Sequence, residues 1–499
     1  MRDYALFIPE YIACGVALLV IAIELFLPRV RKDVLAYLTA AGALAWFIAG
    51  LAFLDRDPKS YQGLFLADDF TTFFRLLAAG IVFVVALMSA EFLERRRSVD
   101  HGEFYGLLLV AGSAITVMAG ATELLTAYLA LEVLSFSLYI LVGILKTDIR
   151  SNEASLKYIL LGAFSSALFL YGLSLVYGVA GTTSYAGIAE AFAGRDSGLD
   201  PAVAVGLMLI LAGVGFKVSA APFHMWAPDA YEGAPLPITA FLSTLSKAAG
   251  FALILRLFSS AFVTDAEAWR WAFLALAAIT MTVGNLIAIQ QRNLKRLVAY
   301  SSIGQVGYML VTIAALGYGD PQVGLGATSG LLVHLIGYIV TTLALFAALT
   351  AAVNRTGSEE IAGLRGLAET QPFLALVITA SLFSFAGLPF FAGFATKLFL
   401  LQGATTDETI WVVALAVVNS FVSLYYYLMI IRQMYLFDPI GEPVRFRVQP
   451  VLWSIAAVGL LAILFIGIYP GPAFQWSEQA ARPLFEAAAS AAAARVQAP

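Results

Sequence analysis

Four ionisable side chains, Glu132, Lys217, Lys247 and Lys397, stand inside long apolar stretches of this 499-residue chain. A charge near the centre of a bilayer costs about 2.5–3.5 kcal/mol on insertion scales, and groups kept at that cost usually mark an ion or proton path. Glu132, in Tyr128-Leu-Ala-Leu-Glu132-Val-Leu-Ser135, fits a proton carrier whose affinity a nearby ammonium would set. The plainer alternative is a carboxyl buried neutral for packing. Lys217 suits proton work because a desolvated lysine can release its proton, whereas arginine stays charged. A Glu132–Lys217 pair would be an electrostatic switch: close partners hold the proton on lysine and separated partners release it, the two titrating as a unit. Lys247 lies too deep in its stretch for comfortable snorkelling, and Ser243, Thr244 and Ser246 around it could hold water. Lys397 lies beyond an interrupted apolar segment and fits an outlet.

Weaker candidates surround these four. His334 and His224 are relay candidates, although a lone histidine on an apolar helix is also an ordinary packing residue. Asp229 and Glu232 read as carboxylates at an inner entrance, Arg75 as an interface residue, and Lys157 as an inner-edge anchor. His101 sits in a charged loop with no assigned role. Cys14, the one cysteine, lies in an apolar run and reads as packing. No CxxC, HExxH, Walker A motif or dinucleotide fingerprint occurs, so the chain has no obvious cofactor site of its own.

The elements that must position these groups are membrane helices. Hydrophobic residues make up 61% and charged residues 12%, with a mean hydropathy of +0.87. So few charges cannot cover a soluble protein of this size. The net charge of −4 makes nucleic acid an unsuitable partner; the partner surface is the lipid bilayer. Segments of about 20 apolar residues predict an all-α polytopic membrane protein with fourteen spans: 4–27, 34–54, 71–94, 104–120, 122–145, 155–178, 201–220, 235–258, 269–290, 297–316, 326–351, 371–402, 409–436 and 451–469. The first is too long for a signal-peptide core and lacks a clear cleavage site. Seventeen lysines and arginines, Lys295 among them, fall in one set of alternate loops, and seven, Arg256 among them, in the other set with the C-terminal tail. The basic set is expected inside, which puts both termini outside.

Proline interrupts two spans. One break is Gly215-Phe-Lys217-Val-Ser-Ala-Ala-Pro222; the other is Ala386-Gly-Leu-Pro389. Broken membrane helices tend to line cavities. The breaks fall in spans 7 and 12, five apart. This spacing predicts two inverted five-helix repeats, spans 4–8 (104–258) and 9–13 (269–436). Residues 1–100 supply three further spans, and 451–499 a last span and short tail, all within a single membrane domain.

The stretch His224-Met-Trp-Ala-Pro-Asp-Ala-Tyr-Glu-Gly-Ala-Pro-Leu-Pro-Ile-Thr-Ala-Phe-Leu-Ser243, followed by Lys247, resembles the signature of the antiporter-like subunit N of respiratory complex I, NADH:quinone oxidoreductase, whose mitochondrial counterpart is subunit 2. Glu153–Ser166, Asn293–Ser302 and Gly387–Lys397 match the same family. The resemblance implies a proton path through Glu132 and Lys217, then Lys247, then Lys397. It implies a place in a bacterial inner membrane beside other complex I membrane subunits, including a neighbouring antiporter-like one. Flavin, iron–sulfur clusters and quinone are expected in partner subunits and no cofactor in this chain. Tyr231 stands where sister subunits L and M usually have histidine, and only a short tail follows the last span; both favour subunit N. Gln305 stands where the family often has histidine, and glutamine orders water but cannot titrate. Phe390 replaces a second proline. The rival readings are a cation/proton antiporter subunit, a subunit of a ferredoxin- or hydrogen-linked complex, and a structural scaffold.

Overall fold

The computed structural model describes residues 3–27, 31–94, 99–193, 200–439 and 446–485. Its helices are α1 (Ile8–Phe26), α2 (Lys32–Leu51), α3 (Asp69–Glu94), α4 (His101–Gly120), α5 (Leu124–Val142) and α6 (Ile149–Ala180). The short α7 (Tyr185–Ala193) precedes α8 (Pro201–Val218), α9 (Trp226–Gly233) and α10 (Leu236–Ser260). Then come α11 (Ala266–Ala288), α12 (Leu294–Leu316), α13 (Pro321–Thr356), the one-turn α14 (Leu367–Thr370), α15 (Pro372–Ala386) and α16 (Ala392–Gly403). The last are α17 (Ile410–Leu436), α18 (Pro450–Ile468) and α19 (Gly471–Ala481). Thirteen helices among the described residues are long and apolar enough to cross a membrane. The pair α15 and α16 makes the fourteenth crossing.

Local chemistry sets the ends. Asp148, Asn293 and Asp320 cap α6, α12 and α13 by accepting a backbone N–H of the first turn. Gly181 and Gly357 close α6 and α13 in the left-handed region, which glycine adopts without strain. The tight turn between α4 and α5 is residues 121–123, where Glu123 accepts from the amides of Leu125 and Thr126 and the Thr126 hydroxyl. Burial pushes the Glu123 carboxyl up, but these bonds outweigh it and hold it below the usual carboxylate range. Helices α6 and α13 outrun the predicted 155–178 and 326–351. Hydropathy marks only their apolar parts, and their polar first turns continue beyond. Three elements too short to read as spans were not expected: the hairpin of β1 (Lys59–Tyr61) and β2 (Phe65–Ala67), α7, and the amphipathic α19. Trp476 and Phe474 of α19 pack on Phe73 and Phe399.

The same five-crossing order occurs twice: α4, α5, α6, broken α8/α9, α10, then α11, α12, α13, broken α15/α16, α17. An odd number of crossings makes the two units run in opposite directions. Helices α10 and α12 are wholly buried and α13 nearly so, whereas α18 is mostly exposed. The polar residues of α10, α12 and α13 are thus at the centre of the bundle. One end of the bundle carries Lys146, Arg292 and Arg365 and is called here the basic end. Arg29, Arg95, Arg96, Arg97, Arg195, Arg445 and Arg495, and most of the tail, lie outside the described residues.

Several loop assignments change. Arg75 is fully buried, its guanidinium bridging both Glu10 carboxylate oxygens at 2.7 and 3.0 Å. Arg256, read as a loop residue, lies buried in α10 and grips Asp68 at 2.8 Å, the Ala119 carbonyl at 2.6 Å and Thr71. His101 is the buried first residue of α4, where Glu24 accepts its amide and that of Gly102. Cys14 faces outward rather than packing inside, because its neighbour Ala13 takes the inward position. Breaking a buried ion pair leaves one charge unpaired and costs about 3–5 kcal/mol, while apolar replacement of both partners is often nearly neutral. Asp68→Ala is therefore expected to lower the heat-denaturation midpoint in detergent sharply. An Asp68→Leu, Arg256→Met double variant should recover most of the loss.

Candidate functional site

Both breaks arise from the same backbone chemistry. A proline lacks the N–H that would bond the carbonyl four residues back. At the first break α8 ends on Ser219, a buried left-handed residue (φ 66°), before Pro222. At the second, α15 ends at Gly387 (φ 81°), and Pro389 frees the carbonyl of Phe385. Phe390 follows with φ 75°, a conformation that a proline, locked near −65°, cannot take. The departure from two prolines is therefore part of how this break is built.

Lys217 sits in the last turn before the first break, and Lys247 and Lys397 find acceptors at the breaks. The Lys217 ammonium donates to Ser135 Oγ of α5 at 2.9 Å. The Lys247 ammonium donates to Ser219 Oγ, at the end of α8, at 2.6 Å, and stands 5.3 Å from the Trp226 ring centre. Lys397 donates to the freed Phe385 carbonyl at 2.7 Å and lies 4.7 Å from the Tyr308 ring centre. All three are buried, and none forms an ion pair among the described residues.

Glu132 is half-buried on α5, one turn before Ser135. It lies within electrostatic reach of Lys217, and its Oε1 is buried without a hydrogen-bond partner. The sequence reading made Glu132 and Lys217 a switch pair, the proton held on lysine when they are close and released when they part. In the structure the hydrogen bond of the Lys217 ammonium goes to Ser135. Ser135 falls on the same helical face as Glu132, so its i+3 spacing was a usable signal.

The middle of the site is made of hydroxyls. Ser243 of α10 donates to Tyr338 of α13 at 2.7 Å, and Tyr338 donates to Ser302 of α12 at 2.9 Å. Gln305, one turn beyond Ser302, donates to the same Phe385 carbonyl that holds Lys397, at 3.1 Å. His334 Nδ1 bonds Thr396 Oγ1 at 3.0 Å, next to Lys397, while its Nε2 is buried and makes no hydrogen bond. A polar file thus runs from Glu132 through Lys217, Lys247, Ser243, Tyr338, Ser302 and Gln305 to Lys397. Tyr338 and Phe385 were missed by sequence reasoning. The position of Phe385 four residues before Pro389 was the available clue.

The remaining candidates lie off this file. His224 is buried beside Tyr300, 6.4 Å between ring centres, in the segment joining α8 to α9. Arg296 grips Asp229 at 2.6 Å and Glu232 at 3.0 Å, and Lys157 pairs with Asp229 at 3.1 Å and Glu153 at 2.8 Å. This network ties α6, α9 and α12 together at the basic end. Below it Tyr158 stacks on Trp226 at 4.3 Å.

Residues 121–423 match the family model described as NADH:quinone oxidoreductase/Mrp antiporter, transmembrane. NADH-quinone oxidoreductase subunit N of Moorella thermoacetica is 39% identical over 485 residues, covering 97% of this chain and all of that one. A chain of respiratory complex I from Thermus thermophilus superposes with a TM-score of 0.76 at 30% identity, covering 94% of this chain and 99% of that one. A chain of the Mrp complex of a Dietzia species gives 0.82 at 23% identity, covering 96% and 98%, a likeness of fold alone. The chain belongs to the NADH:quinone oxidoreductase/Mrp antiporter transmembrane family, and relatives it matches over nearly their full length include subunits N of NADH-quinone oxidoreductase.

Proposed function

We propose that this chain is the proton-translocating subunit N of a membrane-bound NADH:quinone oxidoreductase. The observation that carries the reading is the set of three buried ammonium groups held by hydroxyls and a freed carbonyl rather than by carboxylates. A lysine locked to a carboxylate keeps its proton. One held by neutral groups can lose it when its surroundings change. Full-length likeness to subunits N supports the redox complex over a free-standing antiporter.

In this reading Glu132 and Lys217 take up the proton. Lys247 and the Ser243–Tyr338–Ser302 bridge pass it on, and Lys397 releases it, with His334 and His224 as relays. Ser135 is the hinge of the switch: approach of Glu132 holds the Lys217 proton, and withdrawal leaves only a neutral hydroxyl partner. The membrane potential opposes each proton by about 2.3 kcal/mol per 100 mV, so water access at the two ends must alternate. Flavin, iron–sulfur clusters and quinone belong to partner subunits, and the contribution of this chain to the enzyme is proton transfer. The partners include a neighbouring antiporter-like subunit. The membrane is a bacterial inner membrane, with the basic end inside and both termini outside. Residues 1–100, 104–258, 269–436 and 451–499 form the N-terminal block, the two units and the last span with its tail.

The test is NADH-driven, inhibitor-sensitive proton uptake by inside-out vesicles, with assembly of the complex checked for each variant. Lys217→Ala is expected to abolish coupled uptake, and Lys217→Arg not to restore it, because arginine keeps its proton. Normal uptake in assembled Lys217→Ala would remove Lys217 from the path. Ser135→Ala removes a hydrogen bond to a charged group, a contact in the class of about 1.5–3 kcal/mol. A slowing of roughly tenfold is expected, against no change if Ser135 only packs. His334→Ala is expected to slow uptake several-fold, and adding Gln305→His should recover it, since Gln305 shares the Phe385 carbonyl with Lys397 and His334 bonds Thr396 beside it. Absence of recovery would separate Gln305 from the relay.

A further inference from the structure

At the basic end a cavity of about 680 Å³ opens between the two five-helix units. Four carboxylates line it, Asp148, Glu232, Glu359 and Glu360, with Lys295 and Arg150 the lining cations among the described residues and Arg296 holding Glu232 from beside it. It lies on neither the Glu132–Lys217 pair nor Lys397. Lys295, counted as a loop residue in the sequence, is buried in the first turn of α12. Its ammonium bridges the Glu359 carboxylate at 2.8 Å and the Ala234 carbonyl at 2.9 Å.

Two helical stripes lead from this cavity to the middle of the polar file. On α10, Leu236 lines the cavity, and Ala240, Ser243 and Lys247 follow at i+4, i+7 and i+11, one face of a helix. On α12, Lys295 lines the cavity and Ser302 follows at i+7. Seven residues of helix are about 10 Å, so the Ser243–Tyr338–Ser302 bridge lies two turns below the cavity floor on both helices. The step between is Thr239, wholly buried, whose hydroxyl lies 3.0 Å from the Tyr231 carbonyl, 3.2 Å from that of Pro235 and 3.5 Å from that of Ala234. The Ala234 carbonyl is the one Lys295 holds. Thr239 stands one turn above Ser243, a gap that a water molecule can bridge.

We propose that this acidic cavity is a second water inlet, delivering protons from the basic end to the midpoint of the polar file through Thr239 and the Ser243–Tyr338–Ser302 bridge. The carboxylates gather hydronium at the mouth. The Lys295–Glu359 pair closes the floor, and its displacement exposes Ala234 and Thr239 to water. Each hydroxyl accepts one proton and donates one, so the relay carries charge without storing it. Lys247 on one side and Lys397 on the other can then be loaded from the same point.

The inference rests on the proton-translocation reading, and two measurements separate them. In a Cys14→Ala background, Thr239→Cys in the purified complex is expected to react with a small water-soluble thiol reagent, above the parent complex. This readout requires no pumping. An unreactive position 239 overturns the inlet while leaving Lys217 and translocation untouched. In vesicles, Thr239→Val is expected to lower proton uptake per quinone reduced several-fold and to enlarge the D2O isotope effect, and Thr239→Ser to restore both. Wild-type uptake in Thr239→Val overturns the inlet. So does a loss that Thr239→Ser fails to rescue, because that outcome assigns Thr239 to packing.

Discussion

An ammonium group inside a helical bundle must find hydrogen-bond acceptors, and an intact helix has none to spare. Every interior carbonyl is already committed to the N–H four residues on. The rest of the site depends on how this chain creates exceptions. Pro389 removes one N–H and leaves Phe385 with a free carbonyl, which Lys397 and Gln305 share. Ser219, turned into the left-handed region where α8 ends, presents its hydroxyl to Lys247. The breaks therefore supply the acceptors that allow Lys247 and Lys397 to be buried, while Lys217, in the last turn before the first break, turns to a serine hydroxyl of α5.

The contrast with the arginines shows why this matters. Arg75 and Arg256 are as deeply buried as the lysines, but each grips a carboxylate and backbone carbonyls. Such a group is fixed, because arginine does not lose its proton and the pair is costly to separate. These pairs clamp α1, α3, α4 and α10 into a rigid block. The lysines of the polar file instead meet neutral oxygens, and Lys247 and Lys397 also face aromatic rings, arrangements that tolerate either protonation state better than a full ion pair does. Residue type and partner type together separate the fixed buried charges from those the proposed path uses.

Much of this was legible in the sequence. Long apolar runs located the crossings, and prolines inside two of them located the breaks, because both signals are local. The four ionisable residues were legible for the same reason: a charge in an apolar run is costly wherever its partners lie. What the sequence concealed was mostly pairing across helices. The i+3 spacing puts Ser135 on the face of Glu132, but it cannot show that Ser135 takes the hydrogen bond of Lys217, 82 residues away. Tyr338 reads as one more aromatic residue until α10 and α12 bring Ser243 and Ser302 to its hydroxyl. Lys295 and Arg256 read as loop charges because hydropathy cannot distinguish a polar first turn or a paired charge from a loop. Helix α19 was hidden by its polar face, and only its packing on α3 and α13 reveals the apolar one.

The order of groups along the file has a consequence of its own. In the proposed path the storage sites, Glu132, Lys217, Lys247 and Lys397, flank a centre built of Ser243, Tyr338, Ser302 and Gln305. Those central groups do not hold extra charge near neutral pH. A proton cannot rest at the centre, and so it is committed to one lysine or the other once it passes. Two like charges near each other also raise the cost of both, so loading Lys247 disfavours a proton on Lys217 while leaving the more distant Lys397 less affected. The two units run in opposite directions, and their breaks bring lysine partners toward a shared hydroxyl bridge. Inversion of the repeat thus supplies both halves of the path from one architectural unit, and the neutral centre keeps the halves from short-circuiting each other.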